Sequence, residues 1–241
     1  MILYGGSAGS AFTAPWHRYK EVEHILVEDA VVLSSCSMGL FNHLNRLVTI
    51  ENANNFDTSH VTDMAAMFIS TTRLEKIDVS NWDTSSVTNM RYMFSLNKNL
   101  KKIDVNNWDT SNVTNMQGMF QFSGIEYLDV SRWDTFNVTN MESMFSSTPL
   151  NYLDISNFDT SNVTNMDRMF LGARNLKNIK MGSHSIFNDS VQLLPISSGQ
   201  WRLQSGSGHD SDIFYIDSRD FMNNYDGSNP GLYVTGLRSS E

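Results

Sequence analysis

The sequence predicts a mainly β protein, a right-handed parallel β-solenoid with a cap at each end. Two observations carry this. The first is a repeated unit, typified by Asn81-Trp82-Asp83-Thr84-Ser85-Ser86-Val87-Thr88-Asn89-Met90-Arg91-Tyr92-Met93-Phe94. Other copies start at Asn55, Asn107, Arg132 and Asn157, and the anchoring aspartates Asp57, Asp83, Asp109, Asp134 and Asp159 follow each other at steps of 26, 26, 25 and 25 residues. Self-similarity at a fixed period in this range is the signature of a solenoid. The second is the segment that closes each unit, Leu-x-x-(Ile/Leu) followed by an acidic and a branched position, as in Leu74-Glu75-Lys76-Ile77-Asp78-Val79. Its alternation is that of a half-buried strand.

Taken in order, residues 1–15 are rich in Gly, Ser and Ala and read as a loosely packed entry. Val22, Ile25 and Val27, then Val31, Val32 and Leu33, suggest two short strands on either side of Glu28-Asp29-Ala30. Met38-Gly39-Leu40-Phe41 and Leu47-Val48-Thr49-Ile50 form a degraded copy of the unit, and terminal repeats are usually atypical. Residues 1–54 are therefore expected to be the N-terminal entry and cap. Residues 55–182 are the regular array of five coils. Within a coil, Ile77 and Val79 should point inward and Lys76, Asp78 and Ser80 outward. Asp83-Thr84-Ser85 should make a corner, because short polar side chains bond nearby backbone groups. Val87-Thr88-Asn89-Met90 reads as a second short strand. Residues 183–241 form a capping β-rich module: strands over 200–203, 213–216 and 231–234, a short helix from Ser218 to Tyr225 with Ser218 as its N-cap, and a turn at Asp226-Gly227. A cover for the last coil is needed because an open strand edge invites aggregation.

Composition narrows the functional classes. The chain has 241 residues, 40% of them hydrophobic, and a formal net charge of -9, with a pI near 5.0. Such an acidic chain lacks the clustered Lys and Arg of a nucleic-acid binder, and it is unsuited to anionic membrane surfaces. A single cysteine, Cys36, rules out an internal disulfide framework. No apolar run approaches the ~18 residues needed to span a bilayer. The N-terminus does not read as a signal peptide, so an exported protein would contain this chain as a fragment.

The units Trp-Asp-Thr-Ser-x-Val-Thr-Asn-Met-x-x-Met-Phe, followed by Leu-x-x-Ile-Asp-Val-Ser, resemble the BspA-type leucine-rich repeats of bacterial surface proteins over residues 55–181. Ala14-Pro15-Trp16 with Ile25-Leu26-Val27 resembles the segment before such arrays. Trp201, Asp220-Phe221-Met222, Tyr225-Asp226-Gly227-Ser228 and Tyr233 resemble the module after them in Gram-positive, cell-wall-anchored members. The resemblance implies a solenoid of leucine-rich-repeat type and an extracellular adhesin displayed on the bacterial cell wall. Its partners would be a host or environmental glycoprotein, a polysaccharide or a matrix protein. It supplies no defined set of binding residues.

Candidate sites are weighed against packing. The column Phe56, Trp82, Trp108, Trp133, Phe158 would stack on sugars if exposed, but its presence in every coil favours a buried ladder. The pairs Met64/Met67, Met90/Met93, Met116/Met119, Met141/Met144 and Met166/Met169 read as core filler. Asp78, Asp104, Asp129 and Asp154 form an outward acidic ladder that needs partners, either hydroxyls such as Ser80 and Ser131, a cation or a ligand. A linear ladder does not supply the six to eight oxygens calcium takes, so no metal or other cofactor is expected. Asn89, Asn115, Asn140 and Asn165 suggest an amide ladder, and the sequons at Asn112, Asn137 and Asn162 are by-products of the repeat. The histidines fall in no metal-ligand spacing and no nucleophile motif appears, so the chain is not expected to be an enzyme.

Binding is better sought where a uniform frame varies. The outward position before the acidic ladder reads Lys76, Lys102, Tyr127, Tyr152, Asn178, and one coil carries both Arg132 for Asn and Phe136 for Ser. Tyr127, Tyr152, Lys76, Lys102, Asp129, Asp154, Arg132 and Phe136 are the ligand-binding candidates, since aromatic and Arg side chains dominate interface hot spots. The expected function is a monomeric, non-enzymatic adhesin binding module. The alternative is a spacer that projects another domain from the cell wall.

Overall fold

The computed structural model describes residues 1–8, 19–193, 200–204 and 213–236. Ala14-Pro15-Trp16 and the histidines His17 and His209 lie outside them. The chain is a mainly β parallel solenoid of about seven turns. Its strands are β1 (Ile2–Leu3), β2 (Gly6–Ala8), β3 (His24–Val27), β4 (Val31–Leu33), β5 (Thr49–Glu51), β6 (Phe56–Asp57), β7 (Lys76–Ile77), β8 (Tyr152–Ile155) and β9 (Asn178–Met181), followed by β10 (Gln200–Leu203), β11 (Phe214–Tyr215), helix α1 (Ser218–Asn224) and β12 (Gly231–Gly236).

Each coil has three sides. The first is the parallel ladder β1-β3-β5-β7, continued by a Lys102–Tyr127 bridge and by the β8–β9 pair. Here Ile77, Ile103, Leu128, Leu153 and Ile179 are buried, as the alternation predicts. The second side begins as β2-β4-β6 and carries the aromatic-Asp-Thr segments. The third side pairs through single residues, Cys36 to Asp63 to Asn89 to Asn115 to Asn140 to Asn165.

The corners close by one device. At Asp57, Asp78, Asp83, Asp109 and Asp129, Oδ1 accepts both the backbone N–H and the hydroxyl of the serine two residues on. Such turns let an Asp side chain stand in for a backbone acceptor. The serine partners expected for the outward ladder are therefore present. Asn89, Asn115, Asn140 and Asn165 close the third corner in the same way, through Oδ1 to the N–H two residues on. This corrects the amide ladder: Asn89 and Asn165 reach across coils to the carboxylates of Asp63 and Glu142, not to other amides.

After that corner the Met-x-x-Met-Phe segment is neither strand nor helix. The N–H groups of Met64, Ala66, Phe68 and Ser70 donate to carbonyls of the next coil, while those of Met67, Ile69 and Thr71 donate within their own. The alternation requires left-handed backbone at two positions per coil, Ala66 and Ser70, Tyr92 and Leu96, Gly118 and Phe122, Ser143 and Ser147, Arg168 and Gly172. It also overrides the expected strand at 87–90. Val87 and Met90 are both fully buried, three residues apart, because the chain turns at Asn89.

The core is a set of columns. Phe41, Phe68, Phe94, Phe120, Phe145 and Phe170 stack at 5.2–6.0 Å between centroids with planes within 9°. The Trp82, Trp108 and Trp133 rings are buried, and each indole N–H donates to a carbonyl of the preceding coil, Ala53, Val79 and Val105. The aromatic column is thus structural, and all ten paired methionines are buried.

At the N-terminus the coil geometry runs beyond the repeat motif. Phe41 joins the stack, and Gly39 and His43 take the left-handed positions. Residues 1–8 are not a loose entry: β1 and β2 pair in parallel with β3 and β4. At the other end β12 lies antiparallel on β9, with Tyr233 opposite Ile179, and joins it to β10 and β11. The helix cap is Asp217, which accepts the Asp220 N–H, and not Ser218. Ser218 is buried and accepts the Trp201 indole N–H.

Two predictions arise here. Phe94→Ala or Phe120→Ala should cost roughly 3–5 kcal/mol, with hydrogen exchange accelerating in the neighbouring coils as well, because each coil relies on the next. Denaturant unfolding unchanged by either substitution would refute the stacked core. Second, hydroxyl and N–H donors of Ser59, Ser85 and Ser228 hold the carboxyls of Asp57, Asp83 and Asp226 below the usual range. A depressed folded-state pKa stabilises above the unfolded value of about 4, and the effect is lost as pH falls through the folded value. The melting temperature should therefore hold from neutrality to about pH 4 and fall below it. Asp57→Asn with Asp83→Asn should blunt that acid limb in calorimetry.

Candidate binding face

The first side of the solenoid presents its outward positions as a row, and Lys76, Lys102, Tyr127 and Tyr152 are all exposed on it. Lys76 lies beside Thr49 in the β5–β7 pair. The Lys102 ammonium lies 5.9 Å from the centroid of the Tyr127 ring, within the range of a cation–π contact. Tyr127 is 55% exposed and Tyr152 38%, large values for aromatic rings in so regular a frame.

The acidic members differ from free carboxylates. Asp129 is half-buried, with Oδ1 held by the Ser131 N–H and hydroxyl. Asp154 is held likewise by Ser156, and its Oδ2 accepts from Lys180 Nζ at 2.9 Å and, at 3.5 Å, from the Tyr152 hydroxyl. Burial works against the Asp154 charge, but Ser156 and Lys180 outweigh it and keep its carboxyl below the usual range. Burial, then the Asp154 charge, push the Tyr152 phenol up. Lys180 stands where the other coils have their outward aspartate, so the last rung of the ladder is an ion pair.

Arg132 and Phe136 sit around the next corner, in the coil of Tyr127, and both are exposed. Phe136 replaces the serine whose hydroxyl serves the corner aspartate elsewhere. Its N–H still donates to Asp134 Oδ1 at 3.0 Å, so the turn survives and the ring projects. The structure thus places Lys102, Tyr127, Asp129, Tyr152 and Asp154 on one side, with Lys76 one coil away, and Arg132 and Phe136 on the side that follows. The sequon asparagines Asn112, Asn137 and Asn162 are exposed, but each amide nitrogen donates to a carbonyl of the preceding coil.

A slot at the corner leading into the tyrosine face is lined by none of the residues expected from sequence. The change of step from 26 to 25 residues was the available signal for it.

Residues 37–125 and 121–192 match the model of a family described as Mycoplasma protein of unknown function, DUF285. The chain belongs to this family. The two matches join near residue 121 and take in the degraded copy around Phe41 as well as the regular coils, so this family's unit covers several turns of the solenoid. Comparison with curated proteins and with solved structures finds no match.

Proposed function

We propose that the chain is a BspA-like solenoid of leucine-rich-repeat type, capped at both ends, and that it serves as a non-enzymatic adhesin module on a bacterial cell surface. The observation that carries this reading is the exposed pair Tyr127 and Tyr152, flanked by Lys102 and Asp154, in a row whose other members in the regular coils are Lys76, Lys102 and Asn178. Aromatic area supplies affinity, and fixed charges supply orientation. A glycoprotein, polysaccharide or matrix protein suits such a surface. β12, lying along β9, is the natural C-terminal cap, since it covers an edge that would otherwise recruit another strand.

The spacer reading draws on the same uniformity: the variable positions are few, and the third side pairs coil to coil without a break from Cys36 to Asn165. Binding separates the two. Screened against mucin, matrix proteins and polysaccharides, the purified chain should retain at least one. Tyr127→Ala with Tyr152→Ala should weaken that interaction at least about tenfold, or ~1.4 kcal/mol. Stability should stay within roughly 0.5 kcal/mol per site, as for exposed positions generally. Retention of none of these macromolecules would leave the spacer.

A further inference from the structure

We infer that the slot beside the tyrosine face binds the carboxylate of an acidic sugar. The inference rests on the binding-module reading and names the group recognised.

The slot comes from two shortened coils. Six residues separate Phe94 from Leu100 and Phe170 from Leu176, but only five separate Phe120 from Ile125 and Phe145 from Leu150. The two middle coils therefore recede at this corner while their neighbours stand proud. The resulting cavity is about 450 Å³ and is lined by Lys98 and Gly124 at one end, Phe122, Ser123 and Pro149 along it, and Arg174 at the other. Lys98 and Arg174 belong to coils three steps apart, roughly 14 Å at the spacing of paired strands. The shortening is built closely. The Gly124 N–H donates to the Asn97 carbonyl at 3.0 Å, and a Cβ on Gly124 would stand 2.0 Å from the Lys98 carbonyl oxygen.

Three features point to the ligand. Lys98 and Arg174 are exposed, and among the described residues neither joins an ion pair, whereas nearby Lys101 pairs with Glu126 and Lys180 with Asp154. Two such cations at the ends of one cavity, in a chain of net charge -9, favour an anion between them. Ser123 is 4% exposed and its hydroxyl has no hydrogen-bond partner. At the same corner, Thr71 and Thr148 donate to the Phe68 and Phe145 carbonyls. An unpaired buried hydroxyl is costly, and a polar ligand would supply its partner. Finally, Phe122 is 45% exposed although its backbone is left-handed, with φ 55°. A bulky ring in that region is uncommon. Its face, with Pro149, suits the C–H face of a sugar ring. Cations, a hydroxyl and an aromatic floor together fit a carboxylated saccharide better than a bare anion.

Calorimetric titration of the full chain with glucuronic acid, N-acetylneuraminic acid, glucose and inorganic phosphate tests this. At least one acidic sugar should bind ten times more tightly than glucose and phosphate, and its affinity should fall with added salt. Lys98→Gln with Arg174→Gln should remove the preference over glucose. Phe122→Asn, which suits left-handed backbone, should weaken the acidic sugar at least fivefold. Circular dichroism should show all variants folded, as these side chains are exposed. Equal binding of glucose or phosphate, no acidic sugar bound, or no effect of the double substitution would overturn the inference. A chain that holds a macromolecule through Tyr127 and Tyr152 yet ignores acidic sugars would overturn the slot alone. One that binds acidic sugars but no macromolecule would support the slot and overturn the adhesin reading.

Discussion

The structure depends on like residues standing over like residues in successive coils. The phenylalanine stack from Phe41 to Phe170 states this constraint most plainly, since near-parallel rings must recur at one place in every turn. Each ring is buried by the ring of the next turn, so a coil alone could not bury its own apolar face. The indole N–H groups of Trp82, Trp108 and Trp133 then pin each coil to the backbone of the one before, which joins packing to register.

Polar chemistry keeps that register affordable in backbone terms. A chain that turns three times in about 25 residues exposes many N–H groups that no strand satisfies. Aspartate and asparagine oxygens take up those at the corners, and threonine hydroxyls bridge the coils, as Thr84 does to the Asp109 carbonyl and Thr110 to that of Asp134. Stacked carboxylates are tolerated because the serine N–H and hydroxyl donors stabilise each charge by hydrogen bonding, while solvent screens the repulsion between them. The left-handed residues of the third side are the cost of this arrangement. Glycine takes the role at Gly39, Gly118 and Gly172, and side-chain-bearing residues accept the strain elsewhere.

The proposed binding role rests on the departures from this frame. The tyrosines, Phe136 and Arg132 depart in side chain, while the corner at Phe122 departs in length. Both kinds fall in the coils between Lys102 and Asn178, and it is on this stretch that the proposed binding face and slot rest. The two features adjoin, since Phe122 precedes Tyr127 by five residues along the same turn.

Much was legible in the sequence because the informative contacts repeat. Period, inward Ile77 and Val79, buried tryptophans and methionines, the serine partners of the outward aspartates, and the strands over 200–203 and 214–215 all follow from local alternation and turn chemistry. Tertiary structure decided the rest. Nothing in Ile2–Leu3 or Gly6–Ala8 marks a strand; their pairing comes from the open edge that β3 and β4 offer. Alternation misread 87–90, since the Asn89 corner turns Val87 and Met90 to the same interior. The slot is invisible until coils are superposed, because a missing residue lowers the surface only relative to its neighbours. Local sequence thus determined which residues of the first side face the core, whereas the inward turn at Asn89 and the shape of the exposed surface were set by contacts between residues a full turn apart.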